Sequence, residues 1–186
     1  MPDSGRRAPA LYRTLLGDRF EVLPARVREL HDLTEPAVWT GRADVERGRS
    51  WVARVAAAVF SLPPDGADQP LSVSFTPGNG QEIWTRRFGA RTFCSVQLES
   101  NGRLCERVGL VCLVSTLEAS ADGLALRLRE LRVLGIPLPR ILHPRVHTFE
   151  CEKGGRYRFE AEAHLPLAGL LVRYAGWLER LAACSA

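Results

Sequence analysis

Three residues with metal-binding side chains, His143, His147 and Cys151, recur at every fourth position. On a helix that spacing would stack them along one face as a metal site. Pro144 falls inside the span and the surrounding pattern is extended, so the stacking fails. On a strand, His147 and Cys151 share a face but stand too far apart for one zinc; no metal and no cofactor is expected. His31 and Asp32 could in principle form an imidazole oriented by a carboxylate. Adjacent helical residues point about 100° apart, so they do not make such a pair, and His31 reads as a histidine at the margin of a packed helix. Glu160 and Glu162 share a strand face with Arg158. That face is either solvated, with cross-strand ion pairs, or the polar floor of a pocket if it lines a barrel. Arg173, within the most apolar strand, is either on the solvent face or a buried charge needing a partner such as Glu130 or Glu162.

The sequence holds no G-x-G-x-x-G, G-x-x-x-x-G-K-[ST] or G-x-S-x-G, and Gly78-Asn79-Gly80 joins two strands rather than opening a helix, which excludes the familiar nucleotide sites. Trp84, Phe88, Tyr157, Phe159, Tyr174 and Trp177 all fall on expected strands, where core packing accounts for most aromatics. A closed or half-closed barrel could still hold one small apolar ligand among them. The expected pocket is Trp84, Phe88, Tyr157, Phe159 and Trp177, with Arg173 as its charged member. A catalytic reading would require at least two of Arg173, Glu160, Glu162 and His31 to converge around that cavity; no residue is assigned a catalytic role.

The elements that position these residues come in two blocks. Leu11, Tyr12, Leu15 and Leu16 share a helical face that Gly17 ends, and Pro24 opens a second helix with Val27, Leu30, His31 and Leu33 on its buried stripe. Residues 37–47 alternate as a half-buried strand. Ser50 caps a third helix running to Leu62, so apolar all round that it should be sandwiched on two sides. From Leu71 onward, period-two segments alternate with turns, including Asn101-Gly102 and Asp122-Gly123. Glu130 falls out of phase, predicting a bulge. Residues 135–144, GIPLPRILHP, read as a connection rather than a ladder strand. The fold class is therefore α+β: about three N-terminal helices, then a curved antiparallel β-meander of about eight strands, half-barrel or barrel-like.

At 186 residues the chain suits one domain, over residues 11–180, with a flexible start at 1–10 and a tail at 181–186. The run from Leu165 to Leu178 is too short to span a bilayer as a helix and contains Arg173, so no transmembrane segment is expected. Of 25 basic residues only Lys153 is lysine, leaving 24 arginines, and the formal charge is +4. Only Arg6-Arg7 and Arg86-Arg87 are adjacent, and most others lie beside Asp or Glu, which argues against nucleic acid. Arg127, Arg129, Arg156 and Arg158 fall on the face opposite the apolar one. Cys94, Cys105, Cys112, Cys151 and Cys184 are odd in number, contain no C-x-x-C and follow no signal peptide. Reduced thiols and a cytoplasmic address are the expectation, with Cys184 exposed and unpaired.

The phrases LYRTLLGDRFEVLPARVRELH, GRADVERGRSWVARVAAAVFSLPP, EIWTRRFGARTF, LRELRVLGIPLPRILHPRV and LPLAGLLVRYAGWLE, spanning about Leu11 to Glu179, resemble a bacterial family catalogued as domain of unknown function 4166. The resemblance implies one domain, found alone or fused behind an NAD-binding saccharopine-dehydrogenase-like or epimerase-like domain, and carries over no catalytic residue. The leading expectation is a non-catalytic binding or accessory module with a pocket for a small hydrophobic or lipid-like molecule. The alternative is a protein–protein module, or the substrate-side partner of such an oxidoreductase, docking through an exposed sheet edge or the loop Gly135 to Pro144.

Overall fold

The computed structural model describes residues 9–78 and 80–182. Of the expected flexible start at 1–10 and tail at 181–186, residues 1–8 and 183–186, with Cys184, lie outside that range. Two short helices, α1 (Leu11–Leu16) and α2 (Ala25–His31), flank a 3-10 stretch at Gly17–Val22. Strand β1 (Ala37–Arg47) and helix α3 (Trp51–Val59) follow. The remaining strands are β2 (Gly66–Gly78), β3 (Gln81–Phe88), β4 (Arg91–Ser100), β5 (Arg103–Val108), β6 (Val111–Ser120), β7 (Gly123–Val133), β8 (Ile136–Pro137), β9 (Arg145–Lys153), β10 (Arg156–Leu165) and β11 (Gly169–Arg180). All pair antiparallel in the order β6-β5-β4-β3-β2-β1-β11-β10-β9-β7-β8, and β6 also pairs with β7. That last ladder closes the sheet into a barrel of ten strands, with β8 appended to β7.

The class, α+β with a curved antiparallel sheet, is as expected, but about eight strands is corrected to ten in the ring plus β8. Part of the difference lies in β1, expected as a strand but not as part of the meander: α3 separates it from the meander in sequence, yet it pairs with both β2 and β11. Closure also leaves no full-length edge strand among the described residues. The bulge near Glu130 is present, since Val114 faces Glu130 while Ser115 faces Leu128, leaving Arg129 as the extra residue.

The barrel has two unlike ends. One gathers the turns β2–β3, β4–β5, β6–β7 and β9–β10 and is plugged by the N-terminal helical segment. Leu16, Phe20, Leu23, Val27 and Leu30 are buried there against the inward faces of the strands. The plug is tied externally by Arg13, which grips Asp32 through two nitrogens at 3.0 and 2.7 Å and Glu21 at 2.7 Å, while its guanidinium covers the Phe20 ring at 4.4 Å. The other end, formed by α3 and the connections 89–90, 109–110, 134–144 and 166–168, has no such plug among the described residues. The Ser50 hydroxyl accepts the Ala53 N–H at 3.2 Å and caps α3 as expected. Only the Ala53 and Ala57 side of α3 is buried. The expectation of a sandwiched helix is corrected, because Trp51, Val55 and Val59 form an exposed stripe.

Outward positions on the wall are charged and paired, as in Arg127–Glu118 and Arg156–Glu179, the inverse of a barrel whose outer wall faces lipid. No described helix is long and apolar enough to cross a membrane. Cys105 and Cys112 are joined by a disulfide between β5 and β6, which corrects the expectation of free thiols at those positions; Cys94 and Cys151 are free. Alkylation of the unfolded, unreduced protein should therefore modify Cys94 and Cys151 and spare Cys105 and Cys112 until a reductant is added. Mass mapping of the alkylated peptides checks this.

Closure at β1–β11 needs two glycines. A Cβ on Gly41 would lie 1.9 Å from the Trp177 carbonyl oxygen, and one on Gly176 would lie 2.2 Å from that of Arg42. Either substitution forces the two strands apart. Gly176→Ala should cost about 3 kcal/mol or more, read from the midpoint of urea unfolding.

Candidate functional site

The barrel interior divides into a filled half and a hollow half. In the plugged half, Trp84, Phe88, Tyr157 and Phe159 pack with Phe75, Tyr174 and Leu30 around a residual void of about 60 Å³. Four of the aromatics expected to line the pocket are thus together inside the barrel, around that void. Arg173 and Trp177 are elsewhere, on the outer wall. Arg173 is 51% exposed and binds Glu160 at 3.0 Å and Glu162 at 3.9 Å, while Arg156 stacks over the Trp177 ring. The ambiguity over that sheet face resolves to the outside. His31 lies inside, so the four candidate catalytic residues do not converge around one cavity.

The hollow half holds a cavity of about 320 Å³. Its wall is largely aliphatic: Val108, Val111, Leu113, Leu131, Val133 and Val146, closed off by Phe93 and Tyr174. Phe60 and Leu62, at the end of α3, and Leu142 and Pro144 of the connection line its outer part. Access follows from the sheet. β7 pairs with β9 only over Leu124–Leu126 and then with β8, so β7 and β9 part toward the unplugged end. The connection 138–144 lies over that parting, and the cavity reaches both sides of it through Leu131 and Val146.

Arg86 stands between the two halves and borders both spaces. It donates to Ser95 Oγ at 2.8 Å and to Glu106 Oε1 at 3.3 Å, and its guanidinium lies over the Trp84 ring at 4.8 Å and near Phe93 at 5.4 Å. Burial works against its charge, but the Glu106 carboxylate and the neighbouring tyrosines hold its pKa above the ordinary value. The inner end of a mostly apolar cavity, whose lining also includes Thr148 and Glu162, is therefore a fixed cation with one carboxylate beside it.

Behind Arg86 lies a buried polar layer contributed by the plug and the facing strands. His31 Nε2 meets Glu150 Oε2 at 2.5 Å, and the Tyr12 ring stacks on His31 with centroids 3.8 Å apart. Tyr12 donates to Gln97 Oε1 at 2.8 Å, and Trp84 Nε1 donates to Glu82 Oε2 at 3.1 Å. Burial and the Glu150 carboxylate hold both the Tyr12 and Tyr157 hydroxyls well above the usual phenol range. Burial raises Glu82 above the usual carboxylate range, against the opposing pull of Trp84, His31 and the Leu11 backbone N–H. Asp32, the sequence neighbour of His31, points away to Arg13.

The sequence reading missed Arg86, Glu82 and Glu106 as interior groups, although the signal was available. Glu82, Trp84, Arg86 and Phe88 share one phase of β3, and Glu106 lies in phase between Leu104 and Val108. Glu150 as partner of His31 had no local signal, being 119 positions away. Of His143, His147 and Cys151 none joins another in a site; among the described residues no group of three or more His, Cys, Asp or Glu is placed to hold a metal.

These features define an antiparallel β-barrel with one end plugged by its own N-terminal helices and a cavity beneath the other. Residues 23–178, most of the chain, match the family described as a domain of unknown function, DUF4166, and the chain belongs to that family. No curated protein matches it.

Because the Glu82 pKa is raised in the folded state, folding there favours the protonated acid. Stability from this group is present below the unfolded carboxylate value and is lost as pH rises toward the folded one. Glu82→Gln keeps an acceptor for Trp84 and removes the charge. It should raise the melting temperature more at pH 8 than at pH 4, measured by thermal denaturation monitored by circular dichroism.

Proposed function

We propose that this protein is a non-catalytic binding module that holds one small hydrophobic or lipid-like molecule in the hollow half of its barrel. The observation that carries this reading is the cavity of about 320 Å³, walled by aliphatic side chains and ending on Arg86 and Glu106. That volume falls at the lower end of those that take small ligands, and a mostly apolar lining with few convergent polar groups is their usual chemistry. Left empty, such a wall forfeits dispersion contacts that a ligand would restore. The Arg86–Glu106 pair supplies one donor and one acceptor, so the fitting molecule is an apolar body with a single polar end.

Native mass spectrometry of the gently purified protein should show a co-purified mass that is lost on denaturation. The neutral fluorophore N-phenyl-1-naphthylamine should bind and be displaced by that molecule. Ala163 lies on the cavity wall, and Ala163→Trp would fill part of it. This substitution should weaken the fluorophore about tenfold or more while the thermal transition is retained. Unchanged fluorophore affinity in Ala163→Trp, or no fluorophore binding to the wild type, would refute the reading.

A further inference from the structure

The unplugged end of the barrel differs from every other surface of the molecule in two respects. Most of the large apolar side chains that are exposed among the described residues lie there: Trp51 (77% exposed), Val55 and Val59 (71%) on α3, and Leu110, Ile141 and Leu167 on the surrounding turns. Trp51, Val55 and Val59 recur at every fourth position, which makes one outward stripe of a helix whose opposite side is buried. A contiguous apolar surface of this kind marks a site of contact with another surface.

The second respect is charge. The segments that build this end, residues 47–66, 89–91, 109–110, 134–145 and 165–168, contain Arg47, Arg49, Arg54, Arg91, Arg140 and Arg145 against one acidic residue, Asp65. Arg49, Arg54, Arg91, Arg140 and Arg145 are exposed. None of these five takes part in an ion pair among the described residues; Arg19, Arg103 and Arg180 at the plugged end also take part in none, but there Arg13 and Arg28 bind Glu21, Arg26 binds Glu29 and Arg156 binds Glu179. Arg140 and Arg145 flank Ile141 on an open groove between the connection and the β10–β11 turn, whose other side is Leu165 to Leu167. Apolar side chains interleaved with unpaired arginines match a surface of anionic headgroups over hydrocarbon, with the tryptophan suited to the boundary.

We propose that the unplugged end docks on an anionic lipid bilayer, setting α3 and the connection 134–145 into the headgroup layer. The cavity mouth and the parting of β7 from β9 then face the hydrocarbon from which an apolar ligand would come. The direction of ligand entry rests on the cavity reading given above; the docking itself rests on the exposed stripe and the unpaired arginines.

Co-sedimentation with vesicles of phosphatidylcholine alone and of phosphatidylcholine with phosphatidylglycerol tests it. The wild type should bind the anionic vesicles, be released by high salt and leave the neutral vesicles unbound. A basic side chain near such a surface is worth about fivefold in binding, so Arg140→Ala with Arg145→Ala should weaken binding about 25-fold. Val55→Ser with Val59→Ser should also weaken it, and tryptophan emission should shift to the blue with vesicles in the wild type but not in Trp51→Phe. Lack of binding to anionic vesicles, or binding indifferent to these substitutions, overturns the proposal and leaves the face to a protein partner. The two readings fail separately. Ala163→Trp should keep vesicle binding, so a protein that takes the fluorophore but no vesicles defeats docking alone, and the reverse defeats the cavity reading alone.

Discussion

A ring of ten antiparallel strands encloses more volume than its own inward side chains fill, since about eight strands is the size at which a small barrel packs solid. The chain fills that volume unevenly. Its first helices enter from one end and bring Leu16, Phe20, Val27 and Leu30 into the interior, where they meet the aromatics of β2, β3 and β10. Among the described residues nothing equivalent enters from the other end. Because α3 lies outside the ring and turns only alanines inward, the aliphatic faces of β5, β6, β7 and β9 are left looking at a hollow. The cavity is thus a consequence of an asymmetric plug on a ring too wide to pack solid, not of any residue placed to make a pocket.

That asymmetry needs a boundary, and Arg86 supplies it. An arginine in the interior is tolerable only with its charge and donors met, and here Glu106, Ser95 and two aromatic faces do so. The group that ends the cavity is therefore held rigidly from behind. The layer beneath it locks the plug to the strands by directional contacts, His31 to Glu150 and Tyr12 to Gln97, while Trp84 and Glu82 pair with each other within β3. Removing one member would leave a buried partner unsatisfied, so the layer also specifies how deep the helices sit.

The local structure was legible in the sequence and the global arrangement much less so. Period two, hairpin turns and the Ser50 cap located most of the elements, and the resemblance in the quoted phrases named the family. The ring itself was not legible, because closure depends on β1 meeting β11 and on β7 meeting β9 across the connection 134–144, and neither pairing leaves a local trace, unlike the β6–β7 hairpin that Asp122-Gly123 marks. For the same reason alternation could separate the two faces of β10 without saying which was inside. Aromatics were the natural candidates for a pocket, yet which half of the barrel is filled depends on the helices. Trp84 and Phe88 lie where the plug lands, and the plainer Val and Leu positions of β5 to β7 line the hollow.

The arginine excess acquires its meaning from the same geometry. On the wall, Arg127, Arg156 and Arg173 each have a carboxylate on a neighbouring strand, and such exposed pairs contribute little beyond keeping the surface polar. At the plugged end, Arg13 uses its planar fork to hold two acidic residues at once, which one lysine ammonium would match poorly. Around the mouth the arginines have no such partners and alternate with exposed apolar side chains. A solvated wall gains nothing from that combination, since unpaired like charges repel and bare apolar area raises the risk of aggregation. The arrangement suits the contact with an oppositely charged layer over an apolar interior proposed above, and among the described residues it stands at the end of the barrel that opens on the cavity.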